Sequence, residues 1–374
     1  MKKILIIPHH PANDKIKVRL VEVAKALAHK DIVYLVRWQA SWGKYSLFRR
    51  VASTLGDALR PKKKYKEGNL RIIEFPVFHR PLALAVGQNS FWLERVIQEE
   101  NIDIVINGSY YLFRAPKKAK GFRYLLDLAD LPVISSESDF DEFVQRQIKK
   151  EILKAEAISV VSYGLKDYVK ANYNRQAEVI PNGVDLEKMR AIDPKETHYL
   201  RRRLGLESKW VIGYIGYIGS WVNVELVVSA FRQLKSQLKN AALLWIGMSP
   251  QLDSLKKRFA GEDIIFTGGI PGDIEPYFGV VDVGIIPHRV SFFQDLAFHI
   301  KFVEYAAARR WVVATPMQQM QQLNFPNVVF AKENISDWVV ALKELKGKLW
   351  QPEWDDIVED YDWKNIAQKF NLLF

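Results

Sequence analysis

The sequence predicts an α/β protein with two Rossmann-like domains, each built on a doubly wound parallel β-sheet. Short apolar runs typical of buried strands alternate along the chain with apolar residues at helical spacing. A turn sequence, Pro181-Asn182-Gly183, follows one of these strands near the middle of the chain. The length of 374 residues suits about two domains. The strand and helix pattern after the turn repeats the pattern before it, so we expect two domains of one architecture.

The first domain opens with a β-α-β unit. Residues 3–8 are predicted as a buried strand, residues 16–28 as an amphipathic helix and residues 32–36 as the second strand. The loop after the first strand contains His9 and His10 and lacks the G-x-G-x-x-G phosphate loop of dinucleotide-binding folds. The other elements predicted here are strands at 70–75, 102–106, 123–126, 157–162 and 178–180, and a helix at 142–154.

Polar residues follow the strand at 123–126. They include Asp127 and Asp130. Ligands of doubly wound sheets bind beyond the carboxyl ends of the strands, so Asp127, Asp130 and His10 are candidate cleft residues. The alternative is a local role, in which the carboxylates cap strand ends and the histidine is solvated or capping.

The second domain begins after the turn. Its predicted elements are helices at 195–204, 226–238 and 252–259 and strands at 210–214, 242–246, 264–267 and 282–287. Residues 288–296 form a loop long enough to close over a ligand, and residues 354–370 form a final amphipathic helix. We place the domains at residues 1–185, completed by part of the C-terminal segment 354–374, and at residues 186–353.

A helix followed by a strand at 311–314 carries the clearest sign of a ligand site. Lys301 and Glu304, at positions i and i+3, put a cation and a carboxylate in the first helical turn, and Arg309 and Arg310 fall in the predicted last turn. A pyrophosphate would meet the lysine and the helix N-terminus, and the carboxylate is placed to accept hydrogen bonds from ribose hydroxyls. An exposed ion pair on an amphipathic helix is the alternative.

A glycine-rich turn follows the first strand of the second domain. It contains Gly213, Gly216 and Gly219, with Tyr217 after the second glycine. Glycines between a strand and a helix let backbone amides approach a phosphate closely. A plain turn is the alternative, because this spacing alone is not specific.

Composition restricts the compartment and the chemistry. The chain has no cysteine, which excludes disulfides and thiolate metal sites. The apolar run after Met1 is too short for a signal peptide and no run of about 20 apolar residues occurs, so we expect a cytoplasmic protein that does not span a membrane. The D-x-D sequence Asp139-Phe140-Asp141 precedes a helix, where aspartates serve as caps, and no metal is expected.

The positive charge is confined to the first half of the chain. Residues 1–180 carry 31 Lys and Arg against 20 Asp and Glu, whereas residues 181–374 carry 23 of each, for a net charge of +11. An aromatic, amphipathic stretch at 42–59 lies among basic residues and is typical of a segment that docks on an anionic membrane. Solvated loop lysines are the alternative, and nucleic acid is not expected because no reader motif is present. The basic residues concerned are Arg49, Arg50, Arg60, Lys62, Lys63, Lys64 and Lys66.

Taken together, three segments resemble the GT-B glycosyltransferases, particularly the retaining family 4 enzymes of glycosyl transferases group 1. Residues 179–185 resemble the interdomain signature of that family, residues 281–287 and 300–316 resemble its donor-site strand and helix, and Asp362-Trp363 resembles the start of the helix that crosses back to the N-terminal domain. The resemblance implies transfer of a sugar from a UDP- or GDP-sugar to a saccharide or lipid-linked acceptor, in polysaccharide or glycolipid biosynthesis.

The resemblance also implies roles for individual residues. Lys301 would contact the pyrophosphate and Glu304 the ribose, with the amides of His299 and Ile300 near the phosphates. The full set predicted to bind the donor is Gly216, Tyr217, Gly219, His299, Ile300, Lys301 and Glu304. The chain departs from the family in two respects: Leu296 stands where the first acid of the E-x7-E motif is expected, and no Arg or Lys follows the glycine turn. Lys301 is therefore the expected main phosphate cation, and the donor sugar stays open.

The expected mechanism needs no metal, because a lysine and a helix terminus can stabilise the departing diphosphate. Retaining transfer would proceed by front-face attack without a protein nucleophile. Inverting transfer would require a base, for which Asp127, Asp130 and His10 are the candidates. Two other readings remain: a sugar-nucleotide 2-epimerase, and a non-catalytic sugar-nucleotide-binding partner of an assembly complex, which the missing acid favours.

Overall fold

The computed structural model describes residues 1–10, 18–37, 63–74, 82–116, 121–131, 138–259 and 261–374. The chain divides into two compact units, Met1–Asn182 together with Trp363–Phe374, and Gly183–Asp362. The chain thus passes into the second unit immediately after the Pro181-Asn182 turn and returns to the first unit at Trp363. The predicted domain limits were residue 185 for the passage and residue 354 for the return.

The elements follow one another in strand and helix alternation. The strands are β1 (Lys3–Ile7), β2 (Ile32–Arg37), β3 (Lys63–Glu67), β4 (Leu70–Glu74), β5 (Ile104–Asn107), β6 (Arg123–Leu128), β7 (Ala157–Val160), β8 (Glu178–Val179), β9 (Trp210–Ile215), β10 (Ala241–Ile246), β11 (Ile264–Gly268), β12 (Val283–Ile286), β13 (Trp311–Ala314) and β14 (Val328–Phe330). The helices are α1 (Arg19–Leu27), α2 (Leu82–Glu100), α3 (Ser138–Lys154), α4 (Tyr163–Tyr173), α5 (Leu186–Arg190), α6 (Pro194–Arg203), α7 (Val224–Gln237), α8 (Leu252–Arg258), α9 (Glu275–Val280), α10 (Phe292–Leu296), α11 (Lys301–Ala307), α12 (Gln318–Leu323), α13 (Ile335–Leu345), α14 (Asp355–Glu359) and α15 (Trp363–Phe370).

The first unit has an eight-stranded sheet in the order β3-β4-β2-β1-β5-β6-β7-β8. Every neighbouring pair is parallel except β3 and β4. The C-terminal helix α15 belongs to this unit, because Ile366, Ala367 and Phe370 lie in one core cluster with Leu20 and Val23 of α1. The last residues of the chain therefore complete the core that the first residues begin.

The second unit has a six-stranded, wholly parallel sheet in the order β11-β10-β9-β12-β13-β14. Strand order reverses between β9 and β12, and crevices for ligands form beyond the carboxyl ends of strands at such a point. The glycine turn leaves β9 and the segment leading to Lys301 leaves β12, so both predicted donor segments start from this position. The predicted fold class, two parallel-sheet α/β units, is confirmed.

Several local predictions are wrong. The loop predicted at 288–296 contains the short helix α10, and the C-terminal helix predicted at 354–370 is divided into a 3-10 turn, α14 and α15. Helix α11 ends at Ala307, so Arg309 and Arg310 lie beyond its last turn. Arg309 has a left-handed backbone (φ 56°), a conformation that terminates a helix. Lys64 and Lys66, which the alternative to membrane docking treated as loop lysines, lie on the edge strand β3.

Candidate functional site

Lys301 and Glu304 form a close ion pair at the start of α11. The Lys301 ammonium lies 2.5 Å from Glu304 Oε2, and the two side chains are 25% and 20% exposed. The ammonium also lies 5.7 Å from the centre of the buried Phe278 ring. A cation that lies over an aromatic ring and keeps part of its surface exposed is suited to binding an anionic ligand.

A buried tyrosine fixes α11 to the strand beside it. The Tyr305 hydroxyl donates a 2.7 Å hydrogen bond to the Gly213 carbonyl on β9, and the Tyr305 side chain is fully buried. Asn327 also holds the helix, because its side-chain amide donates to the carbonyls of Phe302, near the start of α11, and of Arg310, just beyond its end. Lys301 is thereby held in place relative to the carboxyl end of β9.

The glycine turn after β9 lies against Lys301. A Cβ atom built at Gly216 would lie 3.5 Å from Cε of Lys301. Behind the turn, Gly247 has a left-handed backbone (φ 143°), and a side chain there would collide with the Gly216 carbonyl oxygen. The structure thus brings Gly216 and Lys301 together. Sequence reasoning missed Gly247, which follows β10 and packs against the Gly216 carbonyl of the turn.

One of the predicted phosphate-binding amides, that of Ile300, already makes a hydrogen bond within the protein. The Ile300 amide donates to the Phe298 carbonyl at 2.9 Å. A phosphate contact at Ile300 would require that hydrogen bond to open. We therefore expect the Lys301 side chain to contribute more to phosphate binding than the Ile300 amide.

Two buried histidines underlie the site. The rings of His288 and His299 are 5.1 Å apart, and both contact Gln294: His299 Nε2 lies 2.9 Å from its carbonyl oxygen and His288 Nδ1 lies 3.0 Å from its side-chain oxygen. Burial disfavours the charged imidazolium, which lowers the pKa of His288 to about 3 and that of His299 to about 4. Both side chains are therefore neutral at physiological pH and act as packing and hydrogen-bonding groups.

The position of the expected first acid is filled by a buried apolar side chain. Leu296 is 8% exposed and closes α10. The preceding residue, Asp295, accepts a hydrogen bond from the Gln318 amide at the start of α12. The structure thus gives Asp295 a capping contact.

In the first unit, Asp127 is fully buried. Its carboxylate accepts hydrogen bonds from Nε and Nη2 of Arg19 at 3.0 and 3.1 Å and from the Ser159 hydroxyl at 2.6 Å, and it lies 3.2 Å from Nε2 of His9. Although burial alone would raise the pKa of Asp127, the charge of Arg19 and the hydrogen bonds lower it well below its usual range. A carboxylate with no exposed surface cannot meet an acceptor hydroxyl, so Asp127 is better explained as the anchor of this cluster than as a base.

Arg19 has a partner for each of its guanidinium hydrogens. Besides Asp127, it donates to the Ile180 and Pro181 carbonyls at 2.7 Å and to Asn182 Oδ1 at 3.2 Å. Its guanidinium also lies 5.4 Å from the centre of the Phe370 ring on α15. Arg19 therefore ties α1 to both places where the chain leaves or re-enters the first unit. Sequence reasoning missed this residue, because its partners are more than 100 positions away.

Asp130 and His10 are the exposed members of the predicted catalytic set. Desolvation raises the pKa of the Asp130 carboxyl to about 6, while the charges of His9 and Arg19 act in the opposite direction, and the residue keeps an exposed surface. Desolvation and the neighbouring His9 lower the pKa of His10. The structure brings Asp127, His9 and Arg19 together at the carboxyl edge of the first sheet, and Asp130 follows the same strand.

The predicted membrane segment at 42–59 lies outside the described residues. Of its basic flank, Lys64 is half exposed and pairs with Glu100 at the end of α2. No helix in the described part of the chain is long and apolar enough to cross a bilayer. Among the same residues, no three His, Asp or Glu side chains lie close enough to hold a metal ion.

The fold is shared with solved GT-B glycosyltransferases. A sucrose-phosphate synthase from Thermosynechococcus elongatus matches with a TM-score of 0.72 at 16% identity, over 100% of this chain and 98% of that one. HepE from Anabaena, solved with UDP and glucose, matches with a TM-score of 0.68 at 14% identity, over 100% and 99%. At these identities the likeness establishes the GT-B fold of this chain.

Two family models cover most of the sequence. Glycosyltransferase Family 4 matches residues 18–188 and Glycosyl transferases group 1 matches residues 209–346. The chain therefore belongs to the group 1 glycosyltransferases.

The curated relatives match over part of the chain. TuaH of Bacillus subtilis, whose name assigns it to teichuronic acid biosynthesis, is 24% identical over 66% of this chain. A lipopolysaccharide 1,2-N-acetylglucosaminetransferase of Salmonella typhimurium is 25% identical over 54%, and a GDP-mannose-dependent phosphatidylinositol monomannoside mannosyltransferase of Mycolicibacterium smegmatis is 27% identical over 30%. The matched stretches span 63%, 58% and 30% of those relatives.

Proposed function

We propose that the protein transfers a sugar from a UDP- or GDP-sugar to a hydroxyl of a saccharide or lipid-linked acceptor, in the assembly of a polysaccharide or glycolipid. The observation that carries this proposal is the Lys301–Glu304 pair beside the Gly216 turn, at the strand-order reversal of the second sheet. The names of the relatives support it, since they refer to teichuronic acid, lipopolysaccharide and phosphatidylinositol monomannoside.

Lys301 is the proposed electrostatic group for the leaving diphosphate. Without a ligand its ammonium is neutralised by Glu304. An incoming diphosphate offers the ammonium oxygens of higher charge, and Glu304 is then released to accept hydrogen bonds from the ribose. A preorganised cation of this kind contributes about 3 kcal/mol to transition-state stabilisation in comparable sites.

The proposed transfer proceeds with retention of configuration and without a metal ion. If the enzyme inverts instead, Asp130 and His10 are the groups with exposed surface that can take the acceptor proton, and the raised pKa of Asp130 suits a group that exchanges a proton near neutrality. Asp127 is a weaker candidate because it is buried and ion-paired.

A panel of UDP- and GDP-sugars incubated with the protein and extracted glycolipids tests the activity. Sugar transfer supports the proposal, whereas epimerised donor, or binding without turnover, favours one of the two other readings. Turnover should persist in EDTA; loss that magnesium or manganese restores would contradict a metal-independent reaction.

The roles of the two donor residues are separable. Glu304→Gln removes the competing carboxylate from Lys301, so affinity for inorganic pyrophosphate should rise while affinity for UDP or GDP gains less or falls, because the charge-assisted contact with the ribose is weakened. A matched change in another ion pair of the same unit, Lys348→Ala, should alter neither affinity; Lys348 pairs with Glu344. Parallel changes in pyrophosphate and nucleotide affinity would refute the assignment of Glu304 to the ribose.

A further inference from the structure

Two large aromatic side chains stand exposed on the turn that touches Lys301. Tyr217 is 50% exposed and Trp221 is 38% exposed. Their ring centres are 5.7 Å apart and the ring planes are inclined by 31°. Exposing so much aromatic surface next to a ligand site is unfavourable in water, and contiguous exposed apolar surface commonly marks a binding position.

The turn that carries the pair is held rigidly. The Tyr214 hydroxyl donates to the Tyr217 carbonyl at 3.0 Å, and the Trp221 carbonyl accepts from the Arg289 amide at 2.8 Å. Gly219 makes room for the indole, since a Cβ atom there would lie 2.5 Å from the Trp221 ring. The rings are thus placed by their backbone before any ligand arrives, which reduces the entropy lost on binding.

We propose that Tyr217 and Trp221 form a stacking surface for a pyranose ring of the substrate. This inference rests on the proposed function and adds a sugar subsite to it. Tyr217 follows Gly216, where a built Cβ atom would lie 3.5 Å from Cε of Lys301, so a ring on this surface lies next to the proposed diphosphate position. Sugar rings have an apolar face of C–H groups that packs on aromatic rings, with hydroxyls around the edge.

Two features favour a sugar over a nucleobase. The planes of the Tyr217 and Trp221 rings are inclined to each other, so the surface they form is not flat. Such a surface fits the puckered ring of a pyranose better than a planar base. The edge of the surface is polar: Arg289 Nη2 lies 3.3 Å from Asn223 Oδ1, and both groups can bond to sugar hydroxyls. The segment from Tyr217 to Asn223 itself contains no Lys or Arg, so the surface formed by its two aromatic rings offers contact without charge.

The pyranose can belong to the donor or to the acceptor, and two measurements separate these sources. Calorimetry compares UDP-glucose with UDP and GDP-mannose with GDP, and saturation-transfer NMR follows methyl glucoside and methyl mannoside in the presence of UDP. Trp221→Ala and Tyr217→Ala should weaken the binding of either the sugar nucleotides or the methyl glycosides roughly three- to ten-fold, and the affinity for UDP and GDP should not change. Trp221→Phe, which keeps a ring, should restore most of the loss. Tyr199→Ala serves as the control, because Tyr199 is 59% exposed on α6 of the same unit.

The failure of this inference is distinct from the failure of the proposed function. Equal weakening of UDP and UDP-glucose by Trp221→Ala would make the surface a base or phosphate contact, and unchanged binding in both measurements would remove it as a ligand site. Either result overturns the sugar subsite. The proposed function instead fails if Lys301→Ala leaves UDP and GDP affinity unchanged, whatever Trp221 does.

Discussion

At the level of single residues, two pairs of charged groups differ in burial: one pair in the second unit is partly exposed, and one pair in the first unit is buried. Lys301 and Glu304 are partly exposed and form an ion pair with each other within the described part of the chain, so a ligand can replace either partner. Asp127 and Arg19 are buried and use their hydrogen-bonding capacity within the protein. The sequence alone placed Asp127 among candidate bases because it ends a strand, and it could not show that Arg19, far away in sequence, occupies the carboxylate.

The buried charge cluster predicts a large stability effect. Arg19→Met removes the guanidinium that donates two hydrogen bonds to the buried Asp127 carboxylate and leaves it only the Ser159 and His9 contacts described above, which should cost about 3–5 kcal/mol in the free energy of unfolding. The double variant with Asp127→Leu should recover much of this loss. Chemical denaturation followed by circular dichroism measures both, with Arg190→Met, which breaks an exposed pair with Glu359, as the control expected to cost less than about 1 kcal/mol. A loss as small as that of the control would show that Asp127 is not held by Arg19.

Because His288 and His299 are neutral in the folded protein, we expect the free energy of unfolding to depend on pH. Between pH 6.5 and about 4 the unfolded chain protonates His288 and His299 while the folded protein does not, since their pKa values are about 3 and about 4. The unfolded state then binds more protons, so these residues make stability fall with falling pH, by up to about 1.4 kcal/mol per pH unit for each histidine. His288→Gln should flatten the slope in that window, and His198→Gln on the surface should not. Identical slopes in the wild type and His288→Gln would contradict the buried neutral state.

At the scale of elements, periodicity predicted most strands and the start of α11, because buried strands and amphipathic helices have distinct apolar spacing. Contacts between elements were not predictable in the same way. Gly247 is an ordinary residue in the sequence, and only the structure shows that it lies under the Gly216 carbonyl. The end of α11 was placed too late, since no glycine marks it and Arg309 takes the left-handed conformation instead.

The support of the glycine turn can be tested at Gly247. Gly247→Ala introduces both backbone strain at positive φ and a collision with the Gly216 carbonyl, so the turn must move away from Lys301. We expect UDP or GDP affinity to fall together with stability. Gly272→Ala is the matched control: Gly272 also has positive φ (92°), but a Cβ there meets nothing within 4 Å, and only strain of about 1–2 kcal/mol is expected. If nucleotide affinity survives Gly247→Ala, the turn does not contribute to the site.

At the scale of the whole molecule, charge and ligand site are divided between the two halves of the chain. The +11 net charge comes from residues 1–180, while the Lys301 site lies in the neutral half. Sequence composition was sufficient to establish this division. Composition alone does not identify the partner of this charge, because an excess of lysine and arginine attracts any anionic surface.

The charge division predicts membrane docking by the first half of the chain. Binding to anionic vesicles should exceed binding to neutral ones and should fall as salt shortens the Debye length from about 10 Å at 0.1 M to about 3 Å at 1 M. Replacement of Lys62, Lys63, Lys64 and Lys66 by glutamine should weaken it. Liposome sedimentation is the measurement, and equal recovery with neutral and anionic vesicles would leave a soluble acceptor as the better explanation.

The central claim is that a nucleoside diphosphate binds the second unit through Lys301, and calorimetric titration of UDP and GDP tests it most directly. Loss of a charge-assisted contact of about 1.5–3 kcal/mol predicts roughly a ten- to hundred-fold weaker affinity for the preferred nucleotide in Lys301→Ala. Lys348→Ala, which breaks a similar ion pair elsewhere in the unit, should bind as the wild type does. Unchanged affinity in Lys301→Ala, or the same loss in both variants, would contradict the claim.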